Sequence, residues 1–279
     1  MGAELRIGKQ HSQKGAPRFI RMAIQNTRGL GAKKILVRLD SGFDAAETMD
    51  AIHQEGEDFL IKVNPRQEGL GEWVELAKDL PGSYWERPIP NMRVAYFSRV
   101  ETRTWEGRSF EVRRVVRVIK RLTILKAEKD EHSPILKRWV DYEADAWYTT
   151  LEVTEAKVVQ LYEDHGTSEQ YHSEIKGELD LERLPSGKFD TNALVFLLGM
   201  VAYNLLRLLG ILGRSAFRYR GTTKRQRLKT VIQELINIPA RLIHTARQFG
   251  LDMGRPTEAK VTLRGLYWRL ASPDFAIAA

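Results

Sequence analysis

Two short apolar runs, KKILVRL at Lys33–Leu39 and DFLIKV at Asp58–Val63, flank a stretch with helical spacing from Ala45 to Gly56. Apolar runs this short, bounded by turn residues, read as buried strands. Two strands joined through a helix lie parallel in one sheet, and such sheets carry helices on their faces. The constraint is strong, because it excludes all-α and all-β architectures at once. A further helix precedes the unit, Arg18–Leu30, with Ile20, Ala23 and Ile24 on one face. Glu4–Ile7 reads as the tail of a strand.

The texture changes after Pro65. From Met92 to Leu122 β-branched, aromatic and cationic residues alternate, predicting antiparallel strands that turn at Glu106-Gly107, and Ala146–Val153 predicts another. From Thr154 onward the pattern is helical, over Glu155–Asp164, Ser168–Leu179, Asn192–Leu212, Lys224–Ile236 and Pro239–Phe249. The expected organisation is a first core segment at 1–64, a β-rich insertion at 65–153, core helices at 154–200 and a helical, basic C-terminal region at 201–279.

The chain has 279 residues and no cysteine. That excludes a disulfide scaffold, thiolate-ligated zinc or iron–sulfur centres and a cysteine nucleophile, and it fits a reducing cytoplasm. The N-terminus has no apolar signal-peptide core. The longest apolar stretch, Ala193–Tyr203, is followed by Asn204 and Arg207 and reads as a buried core helix rather than a span.

Charge is distributed unevenly. The net charge is +8, yet residues 201–279 alone hold fourteen Lys and Arg against four acids. Between Arg207 and Lys229 lie eight basic residues and no acid: Arg207, Arg214, Arg218, Arg220, Lys224, Arg225, Arg227 and Lys229, with Phe217 and Tyr219 among them. Clustered cations of this kind neutralise phosphates and release counterions, so the expected partner is a nucleic acid. A membrane-surface role is disfavoured by the absence of an amphipathic Lys-rich helix.

Asp40 closes the first parallel strand, at the edge where open α/β sheets place their chemistry. Glu169 opens a later helix. In a regular helix Glu169, His172 and Lys176 would share one face. The surrounding segment YEDHGTSEQYHSEIK, Tyr162–Lys176, resembles a signature of bacterial insertion-sequence DDE transposases: Tyr, two residues, Arg, three residues, Glu, six residues, Lys. Tyr162, Glu169 and Lys176 fall on it, while His165 stands where that family usually has Arg. LDLERLPSGKFDTNAL, AYNLLRLLG and VRLDSGFD around Asp40 resemble the same family, in the same order along the chain.

The resemblance implies an α/β, RNase H-like catalytic core with a β-rich insertion and a helical, basic C-terminal region. It implies metal-dependent DNA cleavage and strand transfer on double-stranded transposon ends, by a homodimer in a synaptic complex in the bacterial cytoplasm, associated with the nucleoid. Asp40 and Glu169 are then ligands of Mg2+ or Mn2+, and Tyr162, His165 and Lys176 contact DNA phosphates. The neutral imidazole of His165 makes a weaker contact than a guanidinium. Arg207, Arg214, Arg218, Arg220, Lys224, Arg225 and Arg227 provide further DNA contacts.

The family's first catalytic Asp has no counterpart here, since Asp40 is the first Asp of the chain. The catalytic core is therefore expected to be incomplete at its N-terminus and its activity defective. Trp105 and Trp147 are candidates for stacking a flipped base, against an ordinary packing role. Two other readings use the same residues: a non-catalytic DNA-binding remnant, and a metal-dependent nuclease of the same fold.

Overall fold

The computed structural model describes residues 2–66, 69–126, 136–164, 166–216, 226–245 and 248–272. The chain forms two compact units, Lys9–His165 and Met1–Gly8 with Gly166–Ala279. The boundaries fall at Gly8 and His165, so the helices that follow Gly166 cluster with the C-terminal region and not with the sheet.

The first unit is a six-stranded mixed sheet. Its elements run α1 (Ala16–Gly29), β1 (Leu36–Leu39), α2 (Ala46–Gln54), β2 (Asp58–Lys62), α3 (Gly71–Lys78), β3 (Trp85–Glu86), β4 (Met92–Trp105), β5 (Arg108–Lys126), β6 (Leu136–Thr149) and α4 (Glu155–Glu163). The strand order is β1-β2-β6-β5-β4-β3. β1 and β2 are parallel, with Leu39 opposite Ile61, and every other pairing in the sheet is antiparallel. The parallel β1–α2–β2 unit is the one the sequence dictates. β6 pairs with β2 as well as β5, so the strands of 92–149 continue the sheet begun by β1 and β2.

The β4–β5 turn is set by its two central residues. Glu106 and Gly107 have φ of 47° and 75°, and Trp105 faces Arg108 across the closing pair. Two consecutive positive-φ residues match the right-handed twist of the flanking strands. α3 lies where the sequence reads as β-rich. Trp73 and Ala77, one helical turn apart, bury into the sheet, which a short helix can do inside a polar stretch.

Alternation along the strands divides the core in two. One face carries Phe59, Ile61, Val116, Val118, Ala146 and Tyr148 against Ile20 and Ile24 of α1, Met49 and Ile52 of α2 and Trp73 of α3. The other carries Leu60, Val115 and Trp147 against Val158 and Val159 of α4. Full burial of each aliphatic side chain contributes roughly 1.5–3 kcal/mol, and that term holds the layers together.

The second unit is mainly helical: α5 (Gly166–Ser173) continuing into a π-helical turn at Glu174–Glu178, α6 (Phe189–Ala216), α7 (Leu228–Val231) with a second π turn at Ile232–Ile236, β7 (Arg241–Thr245), β8 (Gln248–Asp252) and α8 (Glu258–Ala271). Its core gathers Ile175, Met200, Tyr203 and Leu228. Three expectations are corrected here. Glu4–Ile7 forms no strand. Residues 239–245 and 248–249 are not helical: β7 and β8 pair antiparallel with Ile243 opposite Gly250, and the β-branched Ile243 and Thr245 suit a strand better than a helix. α6 is longer than expected and is not a buried core helix. Leu194, Leu198, Val201 and Leu205 are each more than half exposed. Arg207 does not stop it, since its guanidinium donates to the Gln226 carbonyl at 2.8 Å on the packed side. By length and composition Phe189–Gly213 is apolar enough to cross a membrane, a test that core helices of soluble proteins also pass.

Candidate active site

Asp40 follows β1 directly and caps a single 3-10 turn, Ser41–Phe43. Its Oδ1 accepts from the Gly42 amide at 2.9 Å. Ser12 Oγ donates to the Gly42 carbonyl at 3.0 Å, pinning the turn to the chain ahead of α1. A Cβ on Gly42 would lie 2.9 Å from Ser12 Oγ and 3.1 Å from Asp40 Oδ1, so this close approach requires glycine. Asp44 closes the other side of the loop, its buried Oδ2 accepting from the Asn64 amide at 2.7 Å. The result is an exposed carboxylate at the C-terminal edge of the parallel pair, oriented through one oxygen. Among the described residues the other oxygen, Oδ2, has no hydrogen-bond partner.

Around Asp40 lies a mixed-charge cluster on the α4 face of the sheet. Extending the β1–β2 register by one residue sets Asp40 opposite Lys62. Lys62 pairs with Asp145 of β6 at 2.9 Å, and Asp145 pairs with Arg117 of β5 at 2.8 Å. Arg117 also meets Glu163 of α4 at 2.5 Å and lies over the Trp147 ring. Burial opposes ionisation of Asp145, but its bonds to Arg117 and Lys62 outweigh burial and hold its carboxyl below the ordinary value. Tyr162, on α4, packs at 5.7 Å from Trp147. Burial, and then the charges of Asp40 and Asp145, push the Tyr162 phenol above its ordinary value, so near neutrality it is a hydrogen-bond donor. Arg38 donates to the Leu161 carbonyl at 2.6 Å and ties β1 to this end of α4.

The signature Tyr162–Lys176 is divided between the units. Tyr162 belongs to the sheet unit, while Glu169 and Lys176 belong to the helical one. Glu169 lies on α5 with its side chain outside the described residues, and His165 lies outside them entirely. The expected single face of Glu169, His172 and Lys176 needs a regular helix. The π turn at Glu174–Glu178 advances less than 100° per residue and rotates Lys176 off that line. His172 and Lys176 are exposed.

Behind this turn Glu174 is fully buried and accepts from Tyr203 Oη at 3.0 Å and the Leu228 amide at 3.3 Å. Glu178 binds the Arg227 guanidinium at 2.8 Å and the Lys229 amide at 2.5 Å. Arg207 and Arg227, both expected to contact DNA, thus have side chains engaged in internal contacts. The side chain of Arg214, and Arg218, Arg220, Lys224 and Arg225 entire, lie outside the described residues. Trp147 is 1% exposed and belongs to the core beneath α4, which is the ordinary packing role. Trp105 is half-buried beside the β4–β5 turn.

Sequence reasoning missed Lys62, Arg117 and Asp145. Lys62 was findable as the residue that ends the second parallel strand, level with Asp40 by strand length. Arg117 and Asp145 face each other only through the β5–β6 register, which no local pattern encodes. Residues 1–273 match the family described as transposase DDE domain group 1. No curated protein matches the chain.

Proposed function

The chain belongs to the DDE transposase family, group 1, and on that premise we propose that it acts on the phosphodiester backbone of duplex DNA, with Asp40 and Glu169 as the carboxylates of the reaction site. The observation that carries this reading is the setting of Asp40: an exposed carboxylate at the sheet edge, anchored through Oδ1, with Oδ2 unpartnered among the described residues. That oxygen suits a hard cation, which takes oxygen ligands. Bound Mg2+ or Mn2+ supplies Lewis-acid activation of the attacking hydroxyl and stabilises the departing oxygen. Asp40 and Glu169 are the residues of this chain that would hold it. Lys62 and the Tyr162 hydroxyl provide a cation and a donor for a phosphate beside Asp40, and Lys176 adds a further cation.

Paired-metal phosphoryl transfer draws on three carboxylates, and no Asp precedes Asp40 in these 279 residues. We therefore infer that the 279 residues by themselves bind duplex DNA without transferring strands. The test is a cleavage and joining assay on labelled duplex in Mg2+ and Mn2+, with Asp40→Ala and Glu169→Ala variants beside the parent. DNA binding without cleavage is expected. Cleavage lost in both variants would overturn the inferred inactivity and sustain the site. Cleavage retained in both would overturn the site.

A further inference from the structure

Most cations with described side chains on β4, β5 and β6 meet an acceptor. Arg99, Arg103 and Arg114 share Glu101, at 2.6, 3.7 and 3.2 Å. Arg108 grips Asp50 at 2.7 Å, Arg117 meets Asp145, Arg121 meets Glu143, and Arg113 donates to the Val153 carbonyl. Arg93 and Lys120 differ. They stand directly opposite each other across β4 and β5. Among the described residues neither has a carboxylate partner, and Lys120 only overlies the Tyr142 ring at 5.4 Å. Directly opposed like charges are destabilising in a sheet. The comparable pair Arg99 and Arg114 has Glu101 bridging it, whereas no described carboxylate bridges Arg93 and Lys120.

These two side chains line a cavity of about 660 Å3, closed on one side by the Pro88-Ile89-Pro90 turn. Arg87 is a third cation of the lining, Leu122 and Val140 supply apolar floor, and no carboxylate contributes among the described residues. The rim is held by the backbone. Asn91 is left-handed at φ 66°, its carbonyl accepts from the Leu122 amide at 2.8 Å, and the Met92 amide bonds back to the Ile89 carbonyl at 3.2 Å. Three cations therefore converge on a preformed concavity of ligand-binding size.

We propose that this cavity is a DNA-backbone contact, in which Arg87, Arg93 and Lys120 hold phosphates of the duplex away from the Asp40 edge. The proposal rests on the DNA reading above and adds a second footprint on the sheet. A phosphate there relieves the opposed charges of Arg93 and Lys120, so the strain of the free protein is recovered on binding.

The experiment measures duplex affinity of the full chain by fluorescence anisotropy from 50 to 200 mM salt, for the parent and for an Arg93→Gln, Lys120→Gln double variant. Each phosphate contact contributes about −0.9 to the slope of log K against log salt, so the variant's slope should be shallower by about 1.8. The parent's affinity advantage then shrinks about twelvefold across that range. Neither side chain has an ion pair among the described residues, so the variant should melt no lower than the parent. Mass-spectrometric lysine labelling of the unaltered chain gives a second readout, in which DNA should protect Lys120. A parent that binds DNA, with equal slopes and unprotected Lys120, overturns the cavity assignment and leaves the DNA reading intact. A parent that binds no duplex overturns the DNA reading and this one with it.

Discussion

Asp145→Asn tests the cluster beside Asp40 most directly. The substitution keeps the shape and removes the charge that Lys62 and Arg117 share. Hydrogen bonds to charged groups contribute about 1.5–3 kcal/mol each. The Lys62 side chain is 36% exposed, so it can turn to water, and its share is discounted to under about 1 kcal/mol. Arg117 is 16% exposed and keeps, as its described carboxylate partner, Glu163, itself 57% exposed, beside the Trp147 ring. The net expected loss is about 2 kcal/mol, which lowers the Tm of a unit of this size by roughly 4–8 °C. Because the folded-state carboxyl of Asp145 is held below its ordinary value of 3.8, its contribution is fully present above that pH and is lost as pH falls through the lowered value. The gap between parent and variant should therefore be full at pH 7 and at pH 5, and should narrow below about pH 4. Urea and thermal melts followed by tryptophan fluorescence suit the purpose, since Trp147 lies under Arg117. An unchanged Tm at pH 7, or a gap that persists undiminished below pH 4, would refute the argument.

In the helical unit, Glu174→Ala should cost about 2–4 kcal/mol by removing the buried acceptor of the Tyr203 hydroxyl and the Leu228 amide. Glu174→Gln, which keeps an acceptor oxygen, should recover about half of that in urea titrations; equal losses would show that volume rather than hydrogen bonding matters there. Gly107→Ala places a Cβ at φ 75° in the β4–β5 turn and should destabilise by about 1–2 kcal/mol, measured as a shift in urea midpoint without a change in m. Asp50→Asn breaks the two-pronged grip of Arg108 at 2.7 and 3.0 Å; because Arg108 is 45% exposed and can rehydrate, the expected loss is only about 1–2 kcal/mol by thermal melt.

Much of the sheet unit was legible from residue order because its decisive interactions are local. The βαβ segment declares itself through short apolar runs and a helical stretch, the β4–β5 turn through Glu106-Gly107, and the exposed edge position of Asp40 through the strand it ends. Errors cluster where local pattern is ambiguous. Residues 239–249 satisfy a helical spacing about as well as a strand alternation, and antiparallel pairing between β7 and β8 decides for strands. At the π turn Glu174–Glu178, Glu174 bonds Tyr203 and Leu228, residues 29 and 54 positions away, a pairing that no local rule supplies. Arg207 and Arg227 look free in a basic run, yet the Gln226 carbonyl and Glu178 engage them.

The sequence by itself determined the family, the parallel strand pair, the place of Asp40 at its edge and the basic bias of the C-terminal part. Each depends on residue identity and spacing over a few tens of positions. The tertiary structure alone decided what surrounds Asp40. It brought Lys62, Arg117, Asp145 and Tyr162 from four elements onto one face of the sheet, and it left Arg93 and Lys120 opposed without a carboxylate among the described residues. Charge pairing falls off over a few ångströms and ignores separation along the chain. Which cations are neutralised and which remain to meet a ligand is therefore settled only when distant strands come into register.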